Sequence, residues 1–170
     1  MMPCRLSRHA LVALTILITG CSGSSSTDPS MAVENLFPPL VSVEVLLLAP
    51  EEVSINSQNF TLGTSLWRNF MPGSSSELTA SITISETNFN EIPASIDATY
   101  LWIVNREEIW ATPFSDEARP PSLPYQIDKI ARDGPKWDPG IDVHVIVKLV
   151  DQSGKEYLLK AANQVIGAPS

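Results

Sequence analysis

Leu78-Thr79-Ala80-Ser81-Ile82-Thr83-Ile84-Ser85 alternates apolar and hydroxyl-bearing residues without a break. In extended backbone successive side chains point to opposite faces. Leu78, Ala80, Ile82 and Ile84 therefore make one dry face, and Thr79, Ser81, Thr83 and Ser85 a wet one. A helix would scatter both sets around its axis, so the segment reads as a strand with one side in a core. The same period recurs upstream, where Val41, Val43, Val45 and Leu47 alternate with Ser42, Glu44, Leu46 and Leu48 and predict a first strand. Residues 60–70 place Phe60, Leu62, Leu66 and Phe70 on one parity, with Gly63 as a bend. Ile96, Ala98, Tyr100, Trp102 and Val104 share a face of a strand whose other face carries Leu101 and Ile103, which predicts a central position. Asn105 and Arg106 allow a tight turn into residues 108–112, because Asn tolerates the positive φ that hairpin turns require.

Residues 113–124 are too rich in proline for regular structure. Residues 126–132 read as a further strand, with one helical turn as the alternative. Gly134, Pro135, Pro139 and Gly140 bracket Trp137 in a corner. Residues 141–150, the turn Asp151-Gln152-Ser153-Gly154 and residues 156–161 form a hairpin. Seven or eight short strands with evenly spaced turn signals predict an all-β domain, an antiparallel β-sandwich. The arrangement resembles an immunoglobulin-like or fibronectin-type domain, through a central strand bearing Trp102, a Pro/Gly corner and a closing hairpin. That resemblance is one of architecture, and the cysteine pair of antibody domains is missing. A small barrel is the rival fold.

The first twenty-one residues carry an address. Arg5, Arg8 and His9 form a short basic region, and residues 10–18 are apolar except for Thr15. Nine helical residues rise roughly 14 Å, about half a hydrocarbon core, which is too short to span. A basic start, a short apolar run and small residues beyond it make a secretory signal. The junction Ile18-Thr19-Gly20-Cys21 resembles the lipobox of bacterial lipoproteins. The resemblance implies cleavage between Gly20 and Cys21, and acyl chains such as palmitate on the Cys21 thiol. An ordinary signal with an incidental cysteine is the alternative. Each buried methylene of a lipid adds roughly 0.8 kcal/mol, so several chains anchor a protein without a spanning helix. Ser22 is not Asp, which in Gram-negative lipoproteins implies the outer membrane, on its periplasmic or surface side. Residues 22–30 hold only Gly, Ser, Thr, Asp and Pro, the composition of a flexible tether. The expected organisation is a signal at 1–20, lipidated Cys21 and tether at 21–32, and a β-sandwich at 33–170. The domain also looks like small uncharacterised bacterial lipoproteins, a likeness that brings no activity with it.

Composition removes several classes of chemistry. The net charge is −8, and loss of the signal takes Arg5 and Arg8 but no acid, leaving 11 − 2 = 9 basic against 19 acidic residues. A nucleic-acid surface needs the opposite balance, so no such partner is expected. The two cysteines are Cys4, lost with the signal, and Cys21, which carries lipid. The exported body is left with no disulfide, thiol nucleophile or thiolate metal site. His144 is the one histidine outside the signal. It alternates outward with Asp142 and Lys148, opposite Val143, Val145, Val147 and Leu149, and reads as a solvated strand histidine rather than a general base. No serine lies in a nucleophile motif. Neither catalysis nor a cofactor nor a metal is expected.

Candidate binding residues are aromatic. Trp67, Arg68, Asn69, Phe70 and Met71 cluster ahead of Pro72-Gly73, and Trp110 shares a parity with Phe114. Trp67, Trp110 or Trp137, exposed on one face, would stack on a sugar ring or a peptide; with Arg68 and Phe70 they form the candidate surface. Filling the core is the competing use of a tryptophan. Glu51 with Glu52, and Glu107 with Glu108, are neighbours that point to opposite faces of a strand and make no carboxylate pair by themselves. Asp133, Asp138, Asp142 and Asp151 read as turn formers, with no twelve-residue calcium loop. Residues 116–124 suit either partner recognition or a crossover between sheets. The expected function is a lipid-anchored, non-catalytic module of the cell envelope that binds an envelope protein or supports an assembly. A carbohydrate- or peptidoglycan-binding module is the second reading and a carboxylate-dependent hydrolase the third.

Overall fold

The computed structural model describes residues 41–73, 76–115 and 122–168. All belong to one compact unit, Asn35–Ser170. The signal, Cys21, the tether and residues 116–121 of the proline-rich stretch lie outside the described residues. One short helix, α1 (Val43–Leu47), precedes eight strands: β1 (Glu52–Ile55), β2 (Gln58–Arg68), β3 (Leu78–Glu86), β4 (Asp97–Asn105), β5 (Glu108–Pro113), β6 (Gln126–Gly134), β7 (Asp142–Val150) and β8 (Glu156–Gly167).

The strands hydrogen-bond in the order β5-β4-β7-β8-β2-β3-β6, with β1 added to β2. Every pairing is antiparallel except that of β2 with β8, which is parallel and joins Leu66 to Ile166 and Trp67 to Gly167. The long strand β2 pairs with β3 along one edge and divides its other edge, giving residues 58–61 to β1 and residues 66–67 to β8. Pro50 O, just ahead of β1, accepts from Lys160 N at 2.8 Å and bridges the gap between them. The free edges of β5 and β6 also meet, where Ser115 N donates to Ile130 O at 2.9 Å. The domain is therefore all-β and mostly antiparallel, curled nearly into a barrel.

With β2 pointing up, the upper end gathers the tips of β2 and β8, the β4–β5 turn and the β6–β7 corner. The lower end gathers the β1–β2, β3–β4 and β7–β8 connections. Inside lie Phe60, Leu66, Ile82, Ile84, Leu101, Ile103, Val145, Val147 and Leu159 among others, each buried. Leu78, Ala80, Ile82 and Ile84 all face this core, as their alternation predicts. Gly134 is required where β6 passes β5. A Cβ there would stand 2.8 Å from the Trp110 ring and 2.9 Å from Leu78 Cβ, closer than side-chain atoms pack.

Residues 41–48 depart from expectation: they hold α1 and no strand. Ser42 caps the helix by accepting from Val45 N at 3.4 Å, and Glu44 in the first turn complements the positive end of the backbone dipoles. Leu46 and Ala49, three apart, are buried together with Trp102, Val104 and Ile146 against the outside of β4 and β7. This second apolar cluster explains why both faces of β4 are apolar. Leu101 and Ile103 face the inner core, while Trp102 faces outward beneath α1. Lys160 fixes the helix by donating from Nζ to Leu47 O at 2.6 Å.

The turns differ in detail. In the β4–β5 hairpin Arg106, not Asn105, takes the positive φ (57°), because Asn105 is still paired with Glu108. The 151–154 turn forms as expected, with Gly154 at φ 81°. Beyond it β8 continues six residues past Ala161, kinked by a bulge opposite Val143–Val145. His144 lies on the outer face as expected but is half-buried rather than solvated, and its Nδ1 is enclosed without a hydrogen-bond partner.

Candidate functional site

The upper end holds an open depression of about 870 Å³, formed by the β4–β5 turn (Asn105, Arg106, Glu107, Glu108) and the corner from Lys136 to Asp142. Each wall has a local cause. The turn is polar throughout, because a two-residue reversal at Arg106-Glu107 is closed by the last paired rung, Asn105 with Glu108. The corner projects because Pro135, Pro139 and Gly140 end β6 and delay the start of β7.

Arg68, last residue of β2, holds the corner in place. It is only 8% exposed. Its Nε donates to Ser76 O at 2.7 Å, and Nη1 donates to Lys136 O and Trp137 O, each at 3.1 Å. Asp138 lies 3.8 Å from the same nitrogen, but its carboxylate is almost fully exposed and adds little. The Phe70 ring covers the guanidinium at 4.7 Å. A planar donor fork suits this task better than an ammonium, since three carbonyls from two separate segments converge on it.

Trp137 links the two walls. Its indole Nε1–H donates to Glu108 Oε2 at 2.6 Å, while the ring is half-buried and packs against the core. Trp110 is also half-buried, its ring wedged over Gly134. Trp67 lies on the opposite parity of β2 from Leu66 and Arg68, and does not line the depression. The structure thus brings Arg68, Phe70 and Trp137 to one end of the fold, with Trp110 beneath them; Trp67 is at the same end but on the other face of β2. They do not form one flat aromatic platform: Trp137 is a wall, Trp110 is packing and Phe70 is a cover over Arg68.

The depression carries both signs on each wall: Arg106, Glu107 and Glu108 in the turn, Lys136, Asp138 and Asp142 in the corner. Asn105, Arg106, Lys136, Gly140 and Ile141 belong to it although no sequence motif marks them. Their common signal is position, since each lies in or beside a turn that the strand pattern had located. Among the described residues no group of three or more His, Cys, Asp or Glu side chains is placed to hold a metal ion. What the depression offers chemically is a set of exposed acceptors and cations around one indole edge, an arrangement suited to recognition. Compared with protein families, curated proteins and solved structures, the chain matches none of them.

Proposed function

We propose that this chain is a lipid-anchored, non-catalytic module of the cell envelope that binds a partner protein at its upper end. The observation that carries the binding assignment is the 870 Å³ depression, whose two walls are fixed before any partner arrives by Arg68 and by the Trp137–Glu108 hydrogen bond. A pre-ordered surface loses less entropy on binding than a loose one. Mixed charges on its rim supply specificity more than raw affinity. The anchor rests on Ile18-Thr19-Gly20-Cys21 and on the tether composition of residues 22–30; no helix among the described residues is long and apolar enough to cross a membrane. Cys21→Ser is expected to move the protein from the membrane fraction to the soluble one.

A finer reading of the fold accompanies this one: an immunoglobulin-like sandwich. Its support is the grouping of β2, β3 and β6 on one side and of β5, β4, β7 and β8 on the other, with β2 and β8 meeting in a short parallel pair. A glycan- or peptidoglycan-binding role is the second reading. It is favoured by the indole edge of Trp137 standing among Glu108, Asp138 and Asn105, acceptors suited to sugar hydroxyls. Photo-crosslinking from position 107 in intact cells separates the two. One dominant envelope protein joined at that position supports the module as proposed. Recovered wall or glycan fragments put the second reading first, and no adduct of either kind overturns both.

A further inference from the structure

We propose that Phe89 anchors a separate docking site at the lower end, taken by a protein partner that offers an apolar socket for one aromatic ring rimmed by basic side chains. Phe89 stands at φ 61°, in the left-handed region that a bulky residue enters only at a cost. Its side chain is 72% exposed, so burial does not offset that cost. Asparagine adopts this conformation more readily, and Asn88 and Asn90 flank the position without taking it.

The surrounding structure over-determines the turn. Glu86 continues the inward-facing row of β3 and is 1% exposed, yet it is a carboxylate. Its Oε2 accepts from Asn88 N at 3.0 Å and Asn90 N at 2.6 Å, clasping the backbone on both sides of Phe89. Phe89 N donates to Glu86 O, Thr87 N to Asn59 O and Ile92 N to Pro124 O, while the Gln58 amide donates to Glu91 O. The Phe89 ring meets Tyr125 edge-on, at 5.1 Å and 89°, which fixes its direction. A buried carboxylate and five tethers therefore hold outward a ring that adds little to the core. Aromatic rings are enriched at the cores of protein interfaces, and one ordered in advance loses less freedom on binding.

Charge selects the partner. The chain carries 19 acidic and 11 basic residues. Toward this end Lys129 is paired with Asp97, Lys148 with Glu156, and Lys155 lies over the Tyr157 ring. Glu91, two residues from the ring, is exposed. A second copy of the chain would bring this carboxylate against its like, and an anionic lipid surface would meet the same repulsion. A basic rim around an apolar socket complements it.

The test uses the full chain with a photo-crosslinking side chain at position 90 in intact cells. The dominant adduct is identified, purified and titrated calorimetrically against wild type and Phe89→Gly at low and high salt. Glycine accepts φ 61° freely, so this variant removes the ring without adding strain. The expected result is an unchanged or raised thermal midpoint, an affinity lower by at least about 30-fold, and wild-type binding that weakens as salt rises. A lowered midpoint with unchanged affinity would make Phe89 a packing residue and overturn the proposal. So would an adduct that is another copy of this chain, or phosphatidylcholine vesicles that retain wild type but not Phe89→Gly. Crosslinks from position 107 without any from position 90 sink this site and leave the upper-end reading standing.

Discussion

At the upper end a buried cation, Arg68, gathers the carbonyl oxygens of Ser76, Lys136 and Trp137; at the lower end a buried anion, Glu86, gathers the N–H groups of Asn88 and Asn90. Both terminate a long strand, and both sit where the inward-facing row of that strand runs past the end of the apolar core. Irregular segments cannot satisfy their own backbone, so one charged side chain at each strand end supplies the missing partners. The signs differ because the segments differ. The corner at 135–140 turns its carbonyls inward and needs donors, whereas the turn at 87–90 turns its N–H groups inward and needs an acceptor.

The largest effect is expected from Arg68→Met, which keeps much of the apolar stem and removes every donor. Three carbonyls lose charged partners, at about 1.5–3 kcal/mol for a hydrogen bond of that type, so a total loss of about 3–5 kcal/mol is expected in urea unfolding. Trp137 emission should shift to the red as the corner loosens. A loss below about 1 kcal/mol would mean that water replaces the guanidinium and that the upper clamp is dispensable. Next comes Gly134→Ala, which forces a methyl group against Trp110 and Leu78 and is expected to cost about 1–3 kcal/mol. It acts on the upper β5–β6 seam and should leave hydrogen exchange at Asn88 and Asn90 unchanged.

Acid should then separate the ends. Burial raises the Glu86 carboxyl, but the Asn90 and Asn88 backbone N–H groups, the Asn88 amide and the Asn59 N–H together hold it below the ordinary 4.5. Asp151, in the lower β7–β8 turn, is held below its ordinary 3.8 first by the Ser153 hydroxyl and also by Ser153 N, Tyr157 and Lys155 N; burial opposes them. A depressed carboxyl contributes stability that is complete above its unfolded value and lost as pH falls through the folded one. The hydrogen bonds of the upper clamp contain no carboxylate. Between pH 5 and pH 2, protection against exchange, taken relative to the intrinsic rate at each pH, is expected to fall at Asn88, Asn90 and Ser153 before it falls in the Lys136–Asp138 corner, and Glu86→Gln should remove the Asn88 and Asn90 part of that response. Simultaneous opening of both ends would erase the distinction between the clamps. The smallest effect is expected from Glu108→Gln, which weakens an exposed hydrogen bond to Trp137 and should cost no more than about 0.5 kcal/mol while lowering affinity at the depression.

Much of the sheet was legible because its residues obey one rule each. Leu78 to Ile84 alternate, and each inward position is filled by the core. The 151–154 turn carries the Asp and Gly that its geometry needs. The failures have physical causes. Val41 to Leu48 alternate too, but Ser42 offers a cap and Leu46 with Ala49 finds an apolar surface outside the barrel, so tertiary packing overrides β-branched propensity. That surface was itself the clue, since Tyr100, Trp102 and Val104 are too apolar for a face in water. Strand β1 is four residues long and begins with Glu52, too short for a period to register. At the two ends Arg68 and Glu86 continue the inward rows of β2 and β3, yet nothing in the sequence tells a charged residue that clamps a turn from one that binds a ligand. The aromatic candidates dispersed for the same reason: Trp110 and Trp137 share a region, but the ring of one fills a gap over glycine and the other spans two walls.

Lys160 gives the molecule a mechanical property. From the middle of β8 it grips Leu47 O through its side chain and Pro50 O through its backbone. Tension applied to the chain ahead of Val41 therefore enters at the last strand in the sequence, before it can reach β1 or β2. The start of the folded body and its last strand thus share one point of attachment. Neither the upper depression nor the Phe89 turn lies on that line of force, so both can stay in shape while the body is pulled.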